Sequence, residues 1–216
     1  IARAKNKDAQ SADRIGSLEA LRDDGSPEAI EGLLGRFTMR YDKSIEDEQE
    51  IQFVFDELVK MGSKILPPLQ KHLRAADSIS WGLKVLDEVA TVDEAWPILA
   101  DLCERNDNTY TRDPSKKIQL VDFLGEEAGD KRLAAALPQY LEDIDETVRF
   151  HAVEALLHHK DEDVGLGPLV DRLCAEGEDS RRIKMRILEG LAELGWPLAA
   201  RKPDVEKAIA GLGASY

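Results

Sequence analysis

Cysteine, aromatic residues, positive charge and long apolar runs are all scarce in this chain. Two cysteines, Cys103 and Cys174, stand among 216 residues, too few for a disulfide framework and in keeping with a reducing cytoplasm. No stretch approaches the roughly 18 uninterrupted apolar residues that a membrane-spanning helix requires, so no membrane insertion is expected. Lys and Arg total 29 against 43 Asp and Glu, a formal charge of −14. Binding to a nucleic-acid backbone needs the opposite balance, so the composition favours a basic protein or peptide as partner. One local exception is the strip Arg181, Arg182, Lys184 and Arg186. A glycine-rich phosphate loop, Cys/His zinc spacing and a serine elbow are all missing, and no catalytic, cofactor-binding or metal-ligating residue is assigned. The chain opens on Ile1 rather than Met, as expected of a processed or truncated piece.

What is present is a repeat. Apolar residues recur at spacings of three and four, as in Ile51, Val54, Phe55, Leu58 and Val59, or Val148, Ala152, Ala155 and Leu156, the pattern of amphipathic helices. Nothing alternates with the period of a strand. Six times a carboxylate precedes a branched aliphatic residue by two positions: Glu19, Asp56, Asp87, Asp122, Glu154 and Glu189, at intervals of 37, 31, 35, 32 and 35 residues. That is the length of a helical pair, and predicts a solenoid. The expected organisation is a polar lead-in over 1–10, then a single repeat domain over 11–216. Within it, a first helix over 11–23 is followed by pairs near 26–62, 63–91, 93–128, 129–160 and 163–195, and by a capping helix over 203–212. Ser26 before Pro27, Ser78 and Asp145 read as helix starts; Gly62, Gly129 and Gly195 read as stops. The first helices of the later pairs carry an early proline, Pro67 and Pro68, Pro97, Pro138 or Pro168, which sets a start or a kink. Cys103 and Cys174 each follow such a proline by six residues. Two stacked layers would hold them about 20 Å apart, beyond disulfide reach, so both are expected to be reduced and buried.

The run Asp145-Glu146-Thr147-Val148-Arg149-Phe150-His151-Ala152-Val153-Glu154-Ala155-Leu156 resembles the second helix of a HEAT repeat, in particular the short HEAT-like repeats of the phycobilisome lyase type. Pro97-Ile98-Leu99-Ala100-Asp101-Leu102 and Pro168-Leu169-Val170 look like the matching first helix. At the position of Arg149 the other repeats carry Ile51, Gly82, Lys117 and Lys184, so an inter-repeat Asp and Arg ladder is expected at only some layers. The resemblance implies an all-α, right-handed alpha-alpha superhelix of about five helical pairs plus capping helices. It puts the second helices on the concave side and implies, most often, a binding role. The same resemblance admits a bilin lyase or a DNA glycosylase.

Stacking would line up the six carboxylates as an acidic ridge. Helices 8 to 10 Å apart are too widely spaced for equivalent carboxylates to share one hard cation at about 2.0 to 2.6 Å. The ridge therefore suits an extended basic partner, or is simply a solvated face. His151, Glu154 and His158 project from one helix face, but the outer two stand about 10 Å apart along the axis, which favours surface residues over a zinc site. Two longer turns, Met39 to Asp47 with Arg40 and Tyr41, and Arg105 to Lys117 with Tyr110 and Arg112, pair Tyr with Arg as binding hot spots do. Trp81, Trp96 and Trp196 flank apolar positions and are expected to pack in the core or between repeats rather than to stack on a ligand. The leading expectation is a non-catalytic protein–protein interaction scaffold. The alternatives are a HEAT-like enzyme and a regulatory module cut from a larger multidomain or membrane-linked protein.

Overall fold

The computed structural model describes residues 10–39, 44–127 and 129–213. These residues form α-helices, short 3-10 turns and loops, with no strand among them, so the fold class is all-α. No described helix is long and apolar enough to cross a membrane. The chain divides into two compact units, residues 1–102 and 103–216.

The first unit contains α1 (Ser11–Asp24), α2 (Pro27–Leu34), α3 (Ser44–Met61), α4 (Leu66–Ala75), α5 (Ser80–Val89) and most of α6 (Val92–Arg105). Local chemistry sets the ends. α1 stops at Gly25, whose φ of 60° is left-handed and whose N–H reaches the Leu21 carbonyl, a conformation that glycine adopts without a Cβ penalty. One residue later the Ser26 hydroxyl accepts from the Ala29 N–H and Pro27 opens α2, filling the first helical position where a missing N–H costs nothing. Ser78 falls short of its expected role, because α5 begins at Ser80 with Ile79 preceding it. α1 packs on α3 and α3 on α5, while α2 packs on α4, so second helices stack on second helices and first on first. Leu18, Leu33, Leu34, Val54, Leu58, Leu69 and Leu86 fill the space between these layers. Trp81 closes it, stacked on Phe37 at 5.8 Å and edge-on to Phe55 at 5.7 Å.

A charged cluster is buried in this unit. Arg36, 0% exposed, donates to Glu50 at 3.0 Å and to Asp47 at 2.5 Å, and Arg14 reaches Glu50 at 2.8 Å. Charges survive burial only when paired and hydrogen-bonded, and Arg36 completes its set with the Met39 and Asp47 carbonyls. Asp47, expected within a loop, thus lies in the first turn of α3 and ties that helix to Arg36 of the 3-10 turn Gly35–Thr38.

The second unit contains α7 (Ser115–Glu126), α8 (Lys131–Ala136), α9 (Glu146–His159), α10 (Glu162–Cys174), α11 (Arg181–Leu194) and α12 (Lys202–Gly213). α7, α9 and α11 pack in succession; α8 with the 3-10 turn Pro138–Glu142, α10 and α12 form the other layer. Asp145, Asp161 and Ser180 cap α9, α10 and α11 through their side chains, and left-handed Gly195 ends α11. Pro168 lies inside α10, where its ring removes one ladder bond and favours a bend. Trp196 packs its ring against Gly165 of α10, so close that a Cβ there would meet it at 3.0 Å. This is the packing role expected of that tryptophan. Cys103 is buried, and burial pushes its thiol up while the neighbouring Tyr140 hydroxyl offsets part of that rise. Cys174 differs from expectation: it is only half-buried, because it ends α10 where the wall of a groove opens.

Two buried ion pairs fix the layers of this unit. Lys117, at the position equivalent to Arg149, is almost wholly buried in α7 rather than exposed in a turn. Its ammonium pairs with Asp143 at 2.7 Å and also donates to the Thr109 carbonyl. One layer on, Arg149 pairs with Glu178 at 2.9 Å. Asp143 and Glu178 each stand two residues before a helix-capping residue, and each also accepts that residue's N–H, from Asp145 and Ser180. One carboxylate therefore does two jobs, holding a cation of the previous layer and shaping the turn into its own helix. Burial alone would push Glu178 up; the Arg149 hydrogen bond, the Ser180 N–H and the charges of Arg149 and Arg172 outweigh it and hold the carboxyl below its ordinary range.

Candidate functional site: a charged groove across three helices

The exposed sides of α7, α9 and α11 enclose a groove of about 470 Å³ in the second unit. Small residues make it possible. A Cβ on Gly125 of α7 would lie 2.6 Å from the Ala155 Cβ of α9, and one on Gly190 of α11 would lie 2.3 Å from a Leu157 methyl. The backbones approach closely at these points, and the longer side chains at neighbouring positions rise as walls.

Those walls form a regular lattice. The repeat position of the carboxylate column contributes Asp122 and Glu154; three residues earlier stand His151 and Arg186; four residues later stand Glu126, His158 and Glu193. Each column carboxylate is held by the next helix. His151 Nδ1 lies 2.5 Å from Asp122 Oδ1, and Arg186 Nε donates to Glu154 at 2.6 Å. The Arg186 guanidinium also lies 3.6 Å from Glu193, and the Glu154 hydrogen bond, ahead of the charges of Glu154, Glu193 and Glu189, raises its proton affinity further. At Asp122 and Glu154 the column is therefore a row of acid–base pairs, not a bare acidic ridge. Acid still prevails: Asp122, Glu126, Glu154 and Glu193 face two fixed cations, Lys160 and Arg186.

The remaining expected site residues are distributed more widely. Glu189 is exposed on α11 beside Arg186 but outside the groove wall. Glu19, Asp56 and Asp87 are exposed in the first unit, where Asp56 accepts from Gln52. Tyr110, 71% exposed, and Arg112 sit in the turn between α6 and α7, while Arg40 and Tyr41 lie outside the described residues. Among the described residues no group of three or more His, Cys, Asp or Glu side chains is placed to hold a metal ion.

The basic strip is split by the helical turn. Arg186 enters the groove, and Arg182 lies 3.4 Å over the Phe150 ring and 4.0 Å from Glu146. Lys184 lines a separate groove toward Cys174. Arg181 lines that same groove and also borders an apolar groove on the other side of α11. The four cations therefore divide, with Arg186 in the charged groove and Arg181 and Lys184 together in the groove toward Cys174. Glu126, Glu193 and Lys160 were missed by the sequence reading. The signal was available, since Glu126, His158 and Glu193 share one repeat position, but a helix wheel alone does not say which exposed row faces a concavity.

No family model matches the chain, and no curated protein matches it.

Proposed function

We infer that this protein is a non-catalytic interaction scaffold, a HEAT-like right-handed superhelix whose charged groove takes basic side chains of a protein or peptide. The observation that carries this reading is the excess of carboxylates around an open groove of about 470 Å³ that runs across three stacked helices. An incoming Lys or Arg finds Glu126 and Glu193 at one level and Asp122 at another, while His151 and Arg186 keep Asp122 and Glu154 in position. Charge-assisted hydrogen bonds of this kind contribute about 1.5 to 3 kcal/mol each when shielded and less at an open rim. Several contacts along an extended segment are therefore needed for micromolar affinity. The repeat spacing supports such a segment, because successive helices 8 to 10 Å apart match every third residue of an extended chain.

A set of fluorescent peptides rich in Lys or Arg, titrated by anisotropy at low salt, tests this reading. The triple variant Asp122→Asn, Glu126→Gln, Glu193→Gln is expected to bind at least tenfold more weakly. The control Glu28→Gln, Glu48→Gln, Asp77→Asn removes the same charge from exposed sites of the first unit and is expected to bind as the unmodified chain does. Equal losses in both triples, or no saturable binding by the unmodified chain, would reject the groove.

A further inference from the structure

Three of the chain's four histidines lie in α9, and two of them, His151 and His158, line the charged groove. His151 meets Asp122 of the preceding helix as Arg186, one layer on, meets Glu154. His158 shares its repeat position with Glu126 on one side and Glu193 on the other. Holding the layers together does not account for a histidine at the first of these positions. Arginine does that work one layer on, with a charge that no ordinary pH removes, whereas an imidazole gains its charge only as the solution turns mildly acidic.

The hydrogen bond of His151 fixes what such a gain changes. A carboxylate oxygen only accepts, so Nδ1 carries its hydrogen toward Asp122 whether the ring is neutral or charged. Proton uptake therefore occurs at Nε2, keeps the 2.5 Å contact and turns a hydrogen bond into an ion pair. Charged groups face the two rings from both neighbouring helices. α7 presents Asp122 and Glu126, α11 presents Arg186 and Glu193, and α9 itself adds Glu154 and Lys160; Arg182 of α11 lies over the adjacent Phe150 ring. α8, α10 and the 3-10 turn Pro138–Glu142 also pack on α9 but contribute no residue to the groove. With both histidines neutral, four carboxylates against two fixed cations give the groove a net charge of −2; with both protonated the net charge is zero. His159 stands outside this count, because its Nε2 donates to the Leu124 carbonyl at 2.7 Å and it does not line the groove.

We propose that His151 and His158 make the charged groove acid-sensitive, so that it holds a basic segment at about pH 8 and releases it as pH falls to about 5.5. This regulation rests on the groove being the site for basic side chains. Its sign follows from competition: a bound Lys or Arg and the two imidazolium charges seek the same carboxylates, so proton uptake weakens binding and binding opposes proton uptake. Carboxyl groups in general stay ionised above about pH 5.5, which leaves the histidines as the groups that change the charge of the groove over this range.

A fluorescent oligo-arginine peptide, whose own charge is constant in this range, tests the proposal by anisotropy at fixed low ionic strength. Its dissociation constant from the full chain is expected to be at least about tenfold larger at pH 5.5 than at pH 8. In the double variant His151→Gln, His158→Gln that ratio should collapse to within about twofold, whatever the affinity at pH 8. His72→Gln, in the first unit, should keep the ratio of the unmodified chain. Circular dichroism should show the same helix content at both pH values; loss of helix at the lower one would ascribe the release to unfolding and overturn the proposal. So would a double variant that keeps the original ratio. An affinity indifferent to pH but still lost in the Asp122, Glu126 and Glu193 triple would overturn the acid response and leave the groove standing. No saturable binding at either pH would reject the groove and the acid response with it.

Discussion

Glu178→Gln is expected to destabilise the second unit by about 2 to 3 kcal/mol. The carboxylate is 0% exposed and accepts from Arg149 Nε at 2.9 Å, Arg149 Nη2 at 3.2 Å and the Ser180 N–H at 2.9 Å, with Arg172 Nε at 3.1 Å. Glutamine keeps the volume and one acceptor but removes the charge, leaving two guanidinium groups with side chains only 13% and 8% exposed. Removing one partner of a buried pair costs about 3 to 5 kcal/mol. The cost falls at the bottom of that range or just below it, because Arg149 retains the Asp143 and Ile144 carbonyls, and Arg172 retains the Leu141 carbonyl and Glu142. Urea unfolding followed by circular dichroism reads the change as a lower midpoint at constant slope. The pH dependence supplies a second readout. Because the folded state holds the Glu178 carboxyl below its ordinary range, its stabilisation is present above the unfolded value of about 4.3 and is lost as pH falls through the lower folded value. The gap between the two proteins should therefore be full at neutral pH and shrink below about pH 4. A loss under about 0.5 kcal/mol, the scatter of an ordinary surface change, or a gap that persists unchanged in acid would refute the assignment of Glu178 as a charged keystone.

Glycines separate close approach from mere tolerance. Gly125→Ala must push α7 away from the Ala155 Cα and Cβ, 2.9 and 2.6 Å from the new atom, and should cost about 1 to 3 kcal/mol; Gly16→Ala, with nothing within 4 Å inside α1, should gain about 0.5 to 1 kcal/mol. Thermal melts of the two variants shifting in the same direction would contradict this. Glu50→Gln leaves Arg14 and Arg36 without their shared buried carboxylate and should cost about 3 kcal/mol. Hydrogen exchange should show the loss first in α1 and α3, and unchanged protection there would count against the cluster as a support of the first unit.

Short-range signals were the legible ones. The three-and-four spacing fixes the all-α class because only a helix brings Val148, Ala152, Ala155 and Leu156 onto one buried face; all four are buried. Ser26 with Pro27, Asp145 and Gly195 set their helix ends because capping needs only neighbouring backbone groups. At α5 the sequence signal is displaced: Ser78 stands two residues before the helix, and the residue directly before it is Ile79, buried to 0%.

The groove was harder to read because its character comes from partners supplied by the next layer. Asp122 and Glu154 look like one uniform acidic column in sequence, yet His151 and Arg186, three residues before the following column position, turn it into a row of pairs. The same three-residue offset gives Phe53 and Lys84 in the first unit, and there the outcome differs again: Arg22 sits over the Phe53 ring at 5.9 Å and Lys84 over Trp81 at 4.8 Å. An acidic repeat position therefore has no fixed meaning by itself. Its charge is set by what the next repeat places one helix spacing away, so specificity in such a stack is written in the offset between two columns. That is why the row four residues on, where Glu126 and Glu193 leave Arg186 to share itself between Glu154 and Glu193, marks the groove more sharply than the carboxylate column does.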